Sequence, residues 1–413
     1  MYKRVIDSSW DFHTADTKQY THCYHAYPAM MIPQVARKLI KDYKPSGKCN
    51  LLFDPYMGSG TSLVEANIAG INAIGTDINP LARLIAASKV TNYNATDIER
   101  YISDLQLLNL TFNKELVKNK DFSRISNYSF WYSEDVLLKL SYLHQLIDTI
   151  PQEIRSFFYI VLSEIVRECS FTRNGEFKRF KMNSKQLEKF SPDVFMLFIT
   201  KAERNLQGLK QFNCCNNNTF STICDFNTVY SVPKDIIKPN SIDIIVTSPP
   251  YGDSRTTVAY GQYSRWANEW FRFENAKNLD NLLMGGMRQL NAKFTTNTIN
   301  KELELIRTLD NKRYTEVIAF LNDYHDSIKN ISPFVRKGGR VCYVVGNRNV
   351  KGVQIPLDYF TAETFEKYEF KHEQTIIRNI PNKRMPSKTS PTNKTGIKID
   401  TMSNEYIVIM SKL

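Results

Sequence analysis

No apolar run in the sequence reaches the ~18 residues that a helix needs to cross a bilayer, so no membrane span is expected. The opening residues, Met1-Tyr2-Lys3-Arg4-Val5-Ile6-Asp7, lack the apolar stretch of a secretory leader, so secretion is not expected either. Cysteine pairs at metal or redox spacing are missing. The seven cysteines, at 23, 49, 169, 214, 215, 224 and 342, form no C-x-x-C and are odd in number. That disfavours a disulfide framework and a zinc ribbon, and points to a reducing cytoplasm. Acidic side chains are short too: 42 Asp+Glu stand against 54 Lys+Arg, a net charge of +12. Such a surplus favours a polyanionic partner without identifying one. What is present is ordinary for a globular chain. Its 413 residues are 42% hydrophobic and 23% charged, enough for a full core spread over two or three units.

Three regions separate along the chain, and no internal repeat is visible. In 1–90, the apolar run Leu51-Leu52-Phe53 ends at Asp54-Pro55. A helix follows over Thr61 to Ala69, then a strand over Ala73-Ile74-Gly75-Thr76-Asp77. A strand–helix–strand unit this compact predicts an α/β fold with a doubly wound, mostly parallel sheet. Residues 91–215 read as a helical insertion. Apolar residues fall at helical spacing over Val136 to Ile150 and Pro151 to Glu168, and Ser191-Pro192-Asp193 announces a helix at Val194. In 216–413 the sheet pattern resumes with the buried-strand run Ser241 to Val246. Further strands are expected over Arg340 to Val345, after a Gly338-Gly339 turn, and over Glu405 to Met410.

The segment Asp54-Pro55-Tyr56-Met57-Gly58-Ser59-Gly60-Thr61 sits where a strand turns into a helix. Its glycines let the backbone curl tightly and approach a ligand, and the helix start offers free N–H groups. Asp77 lies at the end of the next strand, where nucleotide-type folds place a carboxylate against ribose hydroxyls. The bland alternatives are a tight turn, and a helix cap for Pro80 to Ala87. A dinucleotide fingerprint would need a small residue where Leu63 stands, so NAD and FAD are the weaker readings.

Downstream, the buried strand ends in Thr247-Ser248-Pro249-Pro250-Tyr251-Gly252-Asp253-Ser254. The order of these two motifs resembles the amino-group DNA methyltransferases that use S-adenosylmethionine. The likeness is to the cytosine-N4 branch with its (S/T)-P-P-Y signature, as found in restriction-modification systems. The family's D-P-F-x-G-S-G-T motif matches Asp54 to Thr61, with Tyr56 in place of Phe. The resemblance implies a Rossmann-like, seven-stranded methyltransferase sheet and S-adenosylmethionine as cofactor, with no metal. It assigns cofactor contacts to His25, Tyr27, Pro28, Asp54, Tyr56, Gly58, Ser59, Gly60, Thr61, Asp77, Ile78 and Asp225. It assigns catalysis to Ser248, Pro249, Pro250 and Tyr251.

Those residue types suit the chemistry. An exocyclic amine conjugated to a pyrimidine ring is a poor nucleophile. The Ser248 hydroxyl and the Pro249 carbonyl, accepting its two hydrogens, would localise the nitrogen lone pair. Two prolines stiffen the turn. Tyr251 offers a face for stacking a base that has been flipped from the duplex. The absence of any Pro-Cys dipeptide fits direct transfer without a covalent intermediate.

Double-stranded DNA is the implied partner, with a restriction endonuclease acting on the same site as a possible second. Candidate DNA contacts are Arg173, Lys178 and Arg179, in a basic–aromatic cluster after a long helix, and Arg255, Tyr263 and Arg265, after the catalytic motif. That second segment, with Tyr260 and Trp266, reads equally as a lid over the cofactor. Lys383 and Arg384 lie in an acid-free stretch from Arg378 to Lys398 that reads either as a phosphate-contacting loop or as a solvated one. His22 and His25 flank Cys23, but further metal ligands are missing at any recognisable spacing. The competing functions are adenine-N6 methylation, RNA or protein methylation through an N-P-P-Y motif, and a non-catalytic DNA-binding subunit.

Overall fold

Aliphatic and β-branched runs, buried on both faces in the middle strands, build an eight-stranded central sheet. The computed structural model describes residues 2–47, 49–173, 175, 177–215, 217–253, 257–380 and 403–413, and backbone alone at 388–389 and 399–400. In chain order the strands are β1 (Arg4–Ile6), β2 (Leu51–Asp54), β3 (Asn72–Thr76), β4 (Ser221–Cys224), β5 (Ile242–Thr247), β6 (Val335–Val345), β7 (Phe370–Asn379) and β8 (Asn404–Lys412). They lie in the order β1-β7-β8-β6-β5-β2-β3-β4. All neighbours are parallel except β8, which runs antiparallel to both β6 and β7. The chain therefore winds outward from β2 through β3 to β4, then returns to the other side of β2 with β5. Such a switch point opens a crevice at the carboxyl ends of the strands.

Strand periodicity sorts the core. Ile244 and Val246 of β5, with Cys342 and Val344 of β6, face helices α1 (Pro33–Tyr43) and α2 (Thr61–Ile68). Ile245, Val341, Tyr343 and Val345 face the opposite way, onto the helices Asn311–Ile331 and Leu357–Glu366. A third core belongs to the insertion. Its helices Ala95–Leu110, Glu134–Asp148, Gln152–Glu168 and Val194–Cys215 pack with α3 (Pro80–Val90) and with Trp266 and Trp270 of the helix Tyr260–Trp270. Asp193 starts the last insertion helix by accepting a hydrogen bond from the Met196 amide at 3.0 Å. No helix among the described residues is long and apolar enough to cross a membrane. Each of the seven cysteines is a free thiol.

Two expectations change. The sheet has eight strands, not seven, because Arg4–Ile6 adds a short parallel edge against Thr375–Ile377 of β7. Gly338-Gly339 is not a turn before a strand. It lies inside β6, where Gly338 at φ +72° accompanies a shift in register against β5, so the pair makes a bulge.

Candidate active site

A cleft of about 910 Å³, counting the open solvent at its mouth, opens at the carboxyl ends of β2, β3 and β5. Three strand ends furnish its polar wall. Asp54, closing β2, is buried and accepts from the Tyr56 amide at 3.1 Å, the Thr247 hydroxyl at 2.5 Å and the Ser62 hydroxyl. Thr247 thereby ties the end of β5 to the end of β2. Burial pushes the Asp54 carboxyl up to about 6, against the hydrogen bonds that favour its charge.

Asp77 follows β3 and is held by two backbone donors, the Gly58 amide at 3.1 Å and the Asn79 amide at 2.8 Å. Burial again dominates and pushes its carboxyl up to about 6. The helix-cap alternative fails: Asn79 caps α3 instead, accepting from the Leu81 amide at 3.2 Å, which leaves Asp77 to face the cleft. Between the two carboxylates the loop turns through Gly58 at φ +48° and Gly60 at φ +77°. A Cβ on Gly60 would lie 2.9 Å from the Ala86 Cβ, so glycine lets α2 start against α3.

The remaining walls are aromatic and apolar. Tyr27 accepts from the Asn79 side chain at 2.9 Å and lies stacked on Tyr260, ring centroids 6.0 Å apart. Pro28, Tyr56, Phe226, Val229 and Met284 complete that surface, and Ser248 and Pro250 close it from the β5 end. A carboxylate at ribose depth, a glycine cradle and an aromatic wall fit a nucleoside-bearing cofactor such as S-adenosylmethionine.

The residues singled out from the sequence fall into distinct places. Tyr27, Pro28, Asp54, Tyr56, Gly58, Ser59, Thr61, Asp77, Ile78, Ser248 and Pro250 line the cleft. Gly60 shapes the loop from behind. His25 does not line the cleft; it is buried beside Tyr263, its pKa is pushed down to about 4 chiefly by burial, and neither ring nitrogen has a partner among the described residues. Asp225 also stays outside. Its side chain is 78% exposed and reaches Arg83 at 4.0 Å, while the next four residues, Phe226 to Val229, line the cleft. Tyr251 stands behind Ser248 rather than in the cleft wall. Its hydroxyl lies 3.2 Å from the Ser248 hydroxyl and donates to Glu405 at 2.9 Å, and its ring borders a separate small cavity with Val317, Phe320 and Leu321.

Among the candidate DNA contacts, Arg173 is exposed and Lys178 half-buried at the outer face of a short hairpin bridged at Thr172 and Lys181. Arg179 lies over the Trp266 ring at 4.8 Å. Arg265 and Tyr263 are used within the fold. Arg265 binds Glu269 at 2.5 Å and the Lys277 carbonyl at 2.9 Å, and the Tyr263 hydroxyl donates to the Ala26 carbonyl. Arg378, read as the start of a phosphate-contacting stretch, ends β7 as a buried partner of Glu405 at 2.6 Å. Arg255, Lys383 and Arg384 lie outside the described residues.

Sequence reasoning overlooked Thr247, Ser62, Asn79 and Glu405. Thr247 stood inside the motif, but nothing in spacing says that its hydroxyl turns back to Asp54. Glu405 is 154 residues from Tyr251, beyond any local pattern.

Comparison with known proteins agrees with this geometry. The N6/N4 DNA methylase family matches residues 2–88. A type II methyltransferase of Kocuria varians, M.MvaI, is 38% identical over 437 aligned positions, covering 99% of this chain and 95% of that protein. M.BsoBI of Geobacillus stearothermophilus is 23% identical over 57% of this chain and 50% of its own length, and M.MjaII of Methanocaldococcus jannaschii is 31% identical over 34% and 27%. Similarity across nearly the whole of both chains, joined to this cleft, makes the protein a member of the type II, N6/N4-family DNA methyltransferases, with S-adenosylmethionine as cofactor.

Proposed function

We propose that the enzyme methylates the exocyclic N4 amine of cytosine in double-stranded DNA. The observation that carries this reading is Ser248 in the cleft wall beside Pro250, facing the cavity that Asp54 and Asp77 enter from the other strand ends. Bound S-adenosylmethionine supplies an electrophilic methyl group. The chain's own work is to hold both partners and tune the amine. Asp77, preset by two backbone amides, receives the ribose hydroxyls. Tyr27, Tyr260 and Phe226 exclude water from the flat parts of the ligands. At the β5 end the Ser248 oxygen and the Pro249 carbonyl accept the two amine hydrogens, so the nitrogen lone pair is freed for direct attack.

A base within a duplex cannot enter a cleft of this shape, so the target cytosine is flipped out. The hairpin at Thr172–Lys181 supplies phosphate contacts through Arg173 and Lys178. It is coupled to the cleft, because Trp266, on the same helix as Tyr260, donates to the Thr172 hydroxyl at 3.2 Å. Methylation of this kind protects host DNA, so a restriction endonuclease of matching specificity is the natural companion, in the cytoplasm. The test uses purified protein and cofactor labelled in its methyl group. Label in duplex DNA, absent from RNA and from added protein, supports the reading. Label in RNA or protein alone overturns it.

A further inference from the structure

Ser248 is not a free hydroxyl. A serine oxygen has one proton and two lone pairs, and left alone it offers either to a ligand. Among the described residues its hydrogen-bond partner is the Tyr251 hydroxyl at 3.2 Å, and the direction of that bond follows from the next link. Tyr251 has one proton and gives it to Glu405 at 2.9 Å. Glu405 is a carboxylate paired with Arg378 at 2.6 Å, so it has no proton to return. The tyrosine oxygen can then only accept, and Ser248 must donate to it. Both Ser248 lone pairs are left for the cleft.

The far end of this relay is built rigidly. Glu405 and Arg378 are register partners on β8 and β7. Arg378 is fastened by the Trp10 carbonyl at 2.8 Å and the Asp11 carbonyl at 3.3 Å. Asn379 beside it binds the Asp11 carboxylate at 2.7 Å. An Arg–Glu pair at a strand end would be complete without a tyrosine. The relay's opposite terminus, however, is the Ser248 hydroxyl, which lines the cleft.

We propose that Glu405 is a positioning residue which, through Tyr251, fixes Ser248 as an acceptor-only group facing the target amine. The proposal rests on the methyltransfer reading above. An amine presents two donors, so a serine free to turn its proton toward the base would meet it donor against donor for part of the time. The relay removes that state. It equally disfavours a base with a carbonyl at that position, which needs a donor.

The test uses Tyr251→Phe, which deletes one oxygen, and Glu405→Gln, which deletes one charge. Each should slow single-turnover methylation of duplex DNA at saturating cofactor about ten- to hundred-fold, less than the 10²–10³ typical of losing the direct partner. Cofactor affinity should stay at its parental value in both, and so should the melting temperature of Tyr251→Phe, whereas Glu405→Gln, which unpairs the buried Arg378, should melt lower. In a Ser248→Ala background neither change should cost anything further, because no hydroxyl remains to be oriented. Parental rates in both single variants, or an equal loss with and without Ser248, would overturn the proposal. If Glu405→Gln does not fold, Tyr251→Phe decides alone. Failure of the parental protein to methylate duplex DNA would instead sink the proposed function, leaving the two failures distinguishable.

Discussion

Burial holds the Asp77 carboxyl up at about 6. In the proposed role it accepts two ribose hydroxyls and must be ionised, so cofactor binding should lower that pKa. Affinity should be full above about pH 6 and decline as pH falls through it, with proton release measurable by calorimetry in two buffers. The cofactor-free fold has the opposite sign. An acid whose folded pKa is raised above its unfolded value of about 3.9 adds stability below that value and loses it as pH rises through the folded one. Asp77→Ala should cost on the order of 1.5–3 kcal/mol of cofactor binding per lost charge-assisted bond, and unchanged affinity would move the ribose contact elsewhere. Ser248→Ala should spare cofactor binding and slow methyl transfer by about 10²–10³, read in single turnover. Asp54 to Ser59 and Thr61 of one motif, and Ser248 and Pro250 of the other, line the cleft because strand and turn fix where their side chains emerge, while Pro249 between them is buried. His25, Asp225 and Tyr251 do not. Spacing puts them near the cleft, but their side chains turn to Tyr263, to Arg83 and to Glu405.

The strand-to-helix loop is an element whose geometry admits a direct test. Gly60 combines a left-handed backbone with a Cβ position 2.9 Å from Ala86 on α3. Gly60→Ala should cost about 1–2 kcal/mol from the backbone alone, and more because α2 and α3 must part. A thermal melt by circular dichroism checks this; an unchanged midpoint would mean that the loop relaxes freely. Elements with strong periodicity or caps were legible, among them β2, β5, α3 and the insertion helices Glu134–Asp148, Gln152–Glu168 and Val194–Cys215. β7 escaped notice because Lys371, His372, Glu373 and Gln374 occupy its first half, and only pairing with β8 makes it a strand. β6 was read five residues short because a glycine pair signals a turn more often than a bulge.

At the level of the whole molecule, the +12 charge and the basic Arg173 and Lys178 predict binding to DNA that weakens steeply with salt. Neutralising Arg173 or Lys178 should lower the slope of log K against log salt by about 0.9 each, whatever the base sequence. An unaltered slope would return the Thr172–Lys181 hairpin to plain surface. The doubly wound plan was legible from two motifs in order, because both sit at carboxyl ends of adjacent parallel strands. How the insertion joins that plan was not legible. Its helices share one core with α3 and with Trp266 and Trp270, most of them far apart in the chain. The atom that receives the methyl group defines the reaction. Digesting DNA methylated by the purified enzyme to nucleosides, and separating them by mass spectrometry, reads that directly. N4-methylcytosine is the predicted product, absent when Ser248→Ala enzyme is used for the same short incubation. N6-methyladenine or 5-methylcytosine as the modified nucleoside would contradict it.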